Sequence, residues 1–254
     1  MGRVYQYNKG LIRTWPEDGS FVVSEAVINP GQANAPVAVA AFSQQESKTL
    51  LLKLDALCSN LNNSLISNLV AENAENIFVA VRMAKSQAKG IFAGVLGAGT
   101  MLDIKWLRPK DIGGTILNPA ATGSLGLYGG TSGGVFTWLA STTANSSKDL
   151  IPSQTMEQFA SVIHLGAIEP IEVPKITDIT FTLGGQATPA QSVGQNIKQF
   201  LGTANNDIQV TRFEKSIIVG PLQSQYLKVM PGITGSTKFQ LLSMICARIQ
   251  ELTA

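Results

Sequence analysis

A chain of 254 residues, 44% of them hydrophobic, can bury one large core or two modest modules. Only 14% are charged, against roughly 25% in an average soluble domain, and a surface so poor in charge is expected to be covered by copies of the same chain. The net charge of +2 by itself implies no nucleic-acid or membrane partner, and one histidine with two cysteines supplies neither a Cys/His zinc site nor a disulfide framework.

The apolar runs are short, as at Pro36–Phe42 and Leu50–Leu52, and none approaches the roughly 20 residues of a membrane span. Residues 1–42 read as an extended arm and loop. Turns are expected at Trp15–Gly19 and Asn29–Gly31, with a strand at Ser20–Val27 between them. The stretch Met1–Thr14 has no apolar signal core, which argues against export by that route.

Residues 43–89 read as a long helix and a following strand. Ser43-Gln44-Gln45-Glu46 fits a capping box. Leu50, Leu54, Leu57, Leu61, Leu65 and Leu69 then form one helical stripe, opposite Lys53, Ser59, Asn60, Asn63 and Asn68. A helix of about 28 residues would be roughly 42 Å long. It is expected to stop near Asn73, with Ile77–Val81 as a buried strand. Residues 90–150 are Gly-rich yet interspersed with Ile91, Phe92, Leu117, Phe136 and Trp138, which is too apolar for a disordered linker; short strands and tight turns are expected.

Residues 151–254 read as an α/β region. Met156, Phe159, Ala160 and Ile163 share a helical face, so a helix is expected over Ser153–Ile163. Ile168–Pro174 reads as extended. Ile176–Leu183 alternates as a strand, Ser192–Leu201 as a short helix, and Ile208–Val210, Ser216–Val219 and Tyr226–Val229 as strands. Phe239–Leu252 fits a helix or a strand equally well. The fold class is therefore α+β: an N-terminal arm, an extended loop, one long helix and a strand-rich remainder, built as one structural unit.

The side chains of catalysis are nearly missing. Any Ser-His-Asp or Cys-His arrangement would have to use His164, which reads instead as a structural histidine at a helix end. The carboxylate pairs Glu72/Glu75 and Glu169/Glu172 read as solvated surface groups. Gly94–Thr100 lacks the Gly-Lys-Ser/Thr ending of a phosphate loop, and Gly129–Gly134 fails likewise. No catalytic residue, cofactor or metal ligand is assigned, and Cys58 and Cys246 read as reduced core thiols.

One charge cluster stands out. Arg82, Lys85, Lys89, Lys105, Arg108 and Lys110 face Asp103 alone between residues 82 and 110, a local charge of +5 from six cations and one acid. These residues read as a solvated face or as inter-subunit ion pairs or, less favoured, as a non-specific contact with phosphate. Only Trp106 and Phe92 supply aromatic rings there, which argues against a stacking platform for single strands.

The order of arm, loop, helix from Ser43, Gly-rich segment, Ile168–Pro174 and the run Ser216–Pro221 resembles the major capsid protein of tailed phages, the Hong Kong ninety-seven type. The resemblance is one of layout and transfers no functional residue. It implies a spine helix, a self-assembling shell of hexamers and pentamers in a virion assembled in the host cytoplasm, other virion proteins as partners, and packaged DNA held without sequence preference. Alternatives are a tail-tube, sheath or decoration protein, or an enzyme with a carboxylate-based site.

Overall fold

The computed structural model describes residues 3–7, 11–15, 27–28, 44–59, 61, 64–86, 102–112, 136–169, 173–185, 188–196 and 210–248. The arm contributes an antiparallel hairpin, β1 (Arg3–Tyr7) with β2 (Leu11–Trp15), and a two-residue strand β3 (Val27–Ile28).

The single long helix expected from the leucine stripe is three helices: α1 (Gln44–Ser59), α2 (Ser64–Glu72) and α3 (Ala74–Ser86). The first break falls between Ser59 and Ser64, in a stretch with three asparagines in its sequence, of which Leu61 is described. Asparagine is a poor helix former because its amide competes for nearby backbone groups. Leu61 N–H turns back onto Cys58 O at 3.0 Å. At the second break Asn73 Nδ2 donates to Leu69 O at 2.9 Å, and the next helix opens with Ile77 N–H on Asn73 O. The stripe survives on α1, where Leu50, Leu54 and Cys58 are buried. It shifts by one residue on α2, where Ile66, Leu69 and Val70 are buried and Leu65 is 42% exposed. Ile77–Val81, expected as a strand, lies inside α3; its β-branched residues Ile77, Val79 and Val81 are helical because all three are buried in the core beside the first sheet.

The remainder is strand. After β4 (Leu102–Trp106) and a 3-10 turn at Pro109–Asp111 come β5 (Leu139–Thr142), β6 (Lys148–Thr155), β7 (Ser161–Ile168), β8 (Ile176–Gly185), β9 (Thr188–Asn196), β10 (Val210–Val219), β11 (Ser224–Pro231) and β12 (Gly235–Arg248). One sheet has the order β3-β10-β7-β12-β4, with β5 also pairing β12; the other has the order β6-β11-β8-β9. Apart from β3, which runs parallel to β10, every pair is antiparallel. From β4 on, leaving β5 aside, the chain changes sheet at every connection except the β8–β9 hairpin. Two facing four-stranded sheets, β10-β7-β12-β4 and β6-β11-β8-β9, wound in this way are a jelly roll.

Two cores result. Between the sheets lie Leu150, Ile151, Val162, Ile179, Phe181, Ile217, Leu227, Val229, Phe239, Leu241 and Ile245. On the far side of the first sheet, Ile163, Leu165, Leu242, Met244, Cys246, Ile104 and Trp106 receive the helices. Ser161 Oγ donates to Ala80 O of α3 at 2.6 Å, and Trp106 Nε1 donates to Leu57 O of α1 at 3.2 Å. Strand β7, and β12 from Phe239 to Ala247, are thus covered on both faces.

That double burial explains the misread segments. The stretch Phe239–Leu252 is strand through Arg248, but no polar alternation marks it, because Leu241 and Leu242 are both buried on opposite sides. The helix expected over Ser153–Ile163 is instead the end of β6, a turn and the start of β7. Its apparent helical spacing comes from Met156 in the turn, where Met156 N–H meets Gln223 O and Leu222 N–H meets Met156 O. The helix expected over Ser192–Leu201 is strand β9 up to Asn196; 197–201 lie outside the described residues. The strands expected at Ile176–Leu183, Ser216–Val219 and Tyr226–Val229 fall inside β8, β10 and β11. The spine helix implied by the tailed-phage resemblance is not present in α1–α3, and a jelly roll takes the place of that layout.

Candidate functional site

The basic segment is dispersed by the fold. Arg82 is on α3 and only 8% exposed, and Lys85 is in the last turn of the same helix. Lys105 is on β4 and Arg108 opens the 3-10 turn after it. Lys89 and the Lys110 side chain lie outside the described residues. Lys105 Nζ reaches Asp111 Oδ1 at 2.9 Å, and Arg108 grips the same carboxylate through Nη2 at 2.9 Å and Nε at 3.0 Å. The Arg108 amide adds a fourth donor at 2.8 Å. Burial would raise the Asp111 carboxyl, but the Arg108 and Lys105 contacts outweigh it and hold the group below its ordinary value. Asp111 lies one residue beyond the window in which the cations were counted. The acid inside that window, Asp103, pairs with Lys53 of α1 at 3.0 Å.

Of the four carboxylates expected to be solvated, Glu72 is exposed and Glu169 is half-buried, and both have partners. Glu169, at the end of β7, accepts the Lys175 amide on both oxygens, at 2.9 and 2.8 Å, and the Ile176 amide at 3.1 Å; the Thr237 hydroxyl also donates to it. It therefore pins the entry to β8 and the start of β12. Glu72 of α2 is paired with Arg212 of β10. Those two line a shallow cleft of about 200 Å³ with Asn73, Asn76, Glu214 and Ser216, where Asn76 Nδ2 donates to Ser216 Oγ at 2.9 Å. Glu172, Gly94–Thr100 and Gly129–Gly134 lie outside the described residues.

His164 is fully buried in the middle of β7, not at a helix end. Its Nδ1 is 2.7 Å from Ser243 Oγ of β12, and its Nε2 is 2.9 Å from Gln225 Oε1 of β11 in the opposite sheet. Burial pushes its pKa down to about 4, against a smaller opposing effect of the Gln225 contact. Cys58 and Cys246 are both buried free thiols, and burial, with the Asp103 charge nearby, holds the Cys246 thiol up and protonated. Among the described residues no cluster of His, Cys, Asp and Glu is placed to hold a metal ion, and no helix is long and apolar enough to cross a membrane.

No family model matches this chain, and no curated protein matches it. One similar solved structure is the crystal structure of infectious bursal disease virus VP2 subviral particle, at 12% identity and a TM-score of 0.31, over 44% of this chain and 30% of that chain. The chain therefore spans under a third of that protein's length, and a likeness this loose establishes neither family nor function.

Proposed function

We propose that this chain is a self-associating structural subunit of a viral shell. The observation that carries the reading is the strand order of the two sheets, because double-sheet jelly rolls are a recurrent building block of viral capsids. The same fold also serves lectins and cupins, so a second support is needed. It comes from the composition: a chain with 14% charged residues is suited to lie against its own copies. Cupin-type metal chemistry finds little material in a chain with one histidine, and that histidine is committed to Ser243 and Gln225. A carboxylate-based enzyme is disfavoured for a similar reason, since Glu169 and Glu72 are already bound to amides and to Arg212.

The partners are copies of the chain, arranged as pentamers or hexamers in a closed shell. The tailed-phage part of the expectation depended on the spine helix and goes with it. The role given to the basic segment narrows too. Lys105 and Arg108 share Asp111, so less of their charge is left for nucleic acid or for a neighbour. Size-exclusion chromatography with light scattering, followed by negative-stain imaging, tests the reading. Closed particles are expected; tubes would favour a tail component, and a monomer at every concentration and salt condition would overturn it.

A further inference from the structure

Buried polar groups in a sandwich interior are costly unless paired, and the pairing around His164 is specific to one protonation state. Gln225 Oε1 accepts, so His164 Nε2 carries the hydrogen; Nδ1 is then free to accept from the Ser243 hydroxyl. The Gln225 amide is fixed in that orientation by its Nε2, which meets Met156 Sδ at 3.4 Å. Phe181 of β8 lies 5.0 Å from the imidazole, centroid to centroid, and Phe213 of β10 packs edge-on against Phe181 at 5.3 Å. The neutral ring is fully satisfied and spans the gap between the sheets. A second proton on Nδ1 would reverse the Ser243 hydrogen bond and place a full charge among aromatic and aliphatic side chains.

No counter-charge is at hand among the described residues. Tyr226 and Lys228 of β11 and Asp178 of β8 alternate onto the outer face. Arg212, Glu214 and Lys215 of β10, Lys238 of β12 and Asp149 of β6 are exposed, and Cys246 of β12 points toward the helices. We infer that His164 is an acid-released latch, which joins the two sheets while neutral and drives them apart when it takes up a proton. The inference rests on the chain's own interior and stands whether or not the chain builds a shell.

The sign follows from linkage. The folded state resists protonation that the unfolded state accepts, so stability is full above the ordinary histidine value and falls as pH drops below it. Taking 6.5 and about 4 as the two ends, the folding equilibrium constant should fall by up to about 300-fold across that window. Urea unfolding followed by tryptophan fluorescence at a series of pH values reads this directly. His164→Gln should remove most of the decline, whereas Asp111→Asn should leave it in place, because the Arg108 and Lys105 contacts hold the Asp111 carboxyl below its ordinary value. Equal declines in the native and His164→Gln proteins would overturn the latch. The chain has a single histidine, so one imidazole NMR signal reports on the folded protein without assignment. A neutral Nε2–H ring persisting well below pH 6 is expected, and an ordinary titration near 6.5 in the folded chain overturns the inference even if the His164→Gln chain does not fold.

Discussion

Single residues decide where the two sheets can approach each other and their neighbours. Gly166 lies in β7 beside the bulged part of β10, and a Cβ added there would sit 2.2 Å from Thr211 O and 3.3 Å from Leu69 Cδ2. The obstacle is backbone, so it cannot rotate away. Gly166→Ala should therefore destabilise the protein by about 1–3 kcal/mol, as overpacking of a tight interior does, and denaturant unfolding checks it. Stability unchanged by that substitution would mean that β10 is not held so close. At this scale the sequence was least informative. Asp111 looks like one acid among many, and only the return of the chain after Pro109 brings it under Lys105 and Arg108. Glu169 likewise shows nothing in sequence of the amides that it collects six residues later. His164 reads from sequence as a structural histidine at a helix end, but it lies inside β7, and its partners are 79 and 61 residues away, where no local pattern points to them.

Elements with one solvent face were legible and those without were not. Strand β8 alternates polar and apolar residues because one side is open, and its bounds came close from sequence. Strand β7, and β12 from Phe239 to Ala247, are covered by helices on one side and by the second sheet on the other, so these stretches are largely apolar and show no clear period. The leucine stripe marked helix correctly but hid the break between Ser59 and Ser64, because leucines continue at the right spacing beyond it. The break makes a sharp prediction. Leu54 is fully buried on α1 and Leu65 is exposed on α2. Leu54→Ala should cost about 2–5 kcal/mol, and Leu65→Ala no more than about 0.5 kcal/mol. Thermal or chemical denaturation of the pair checks this, and equal losses would restore the unbroken helix.

Across the whole molecule the helices, the first sheet and the second sheet form three layers, with the first sheet in the middle. Its strands β7 and β12 belong to both cores, with Ile163 and Met244 on the helix side and Val162 and Ile245 on the sandwich side. Loss of either core would strip one face of the same strands, which ties the layers into one cooperative unit. The strand order that makes this a jelly roll was out of reach from sequence, because the pairing of β12 with β4, β5 and β7 joins residues more than a hundred positions apart in some registers. Hydrogen exchange tests the layering. Amide protection tracks the free energy of the opening that exposes each bond. Strand β7, and β12 from Phe239 to Ala247, hydrogen-bonded on both edges and covered on both faces, should be the last to exchange. Strands β6 and β11 of the second sheet alternate buried with exposed or half-buried side chains, as at Tyr226 and Lys228, and should exchange sooner. Peptides covering 161–168 and 239–247 are therefore expected to retain deuterium-resistant amides longest at neutral pH. Faster exchange in those peptides than in 148–155 would show that the middle sheet is not the shared core.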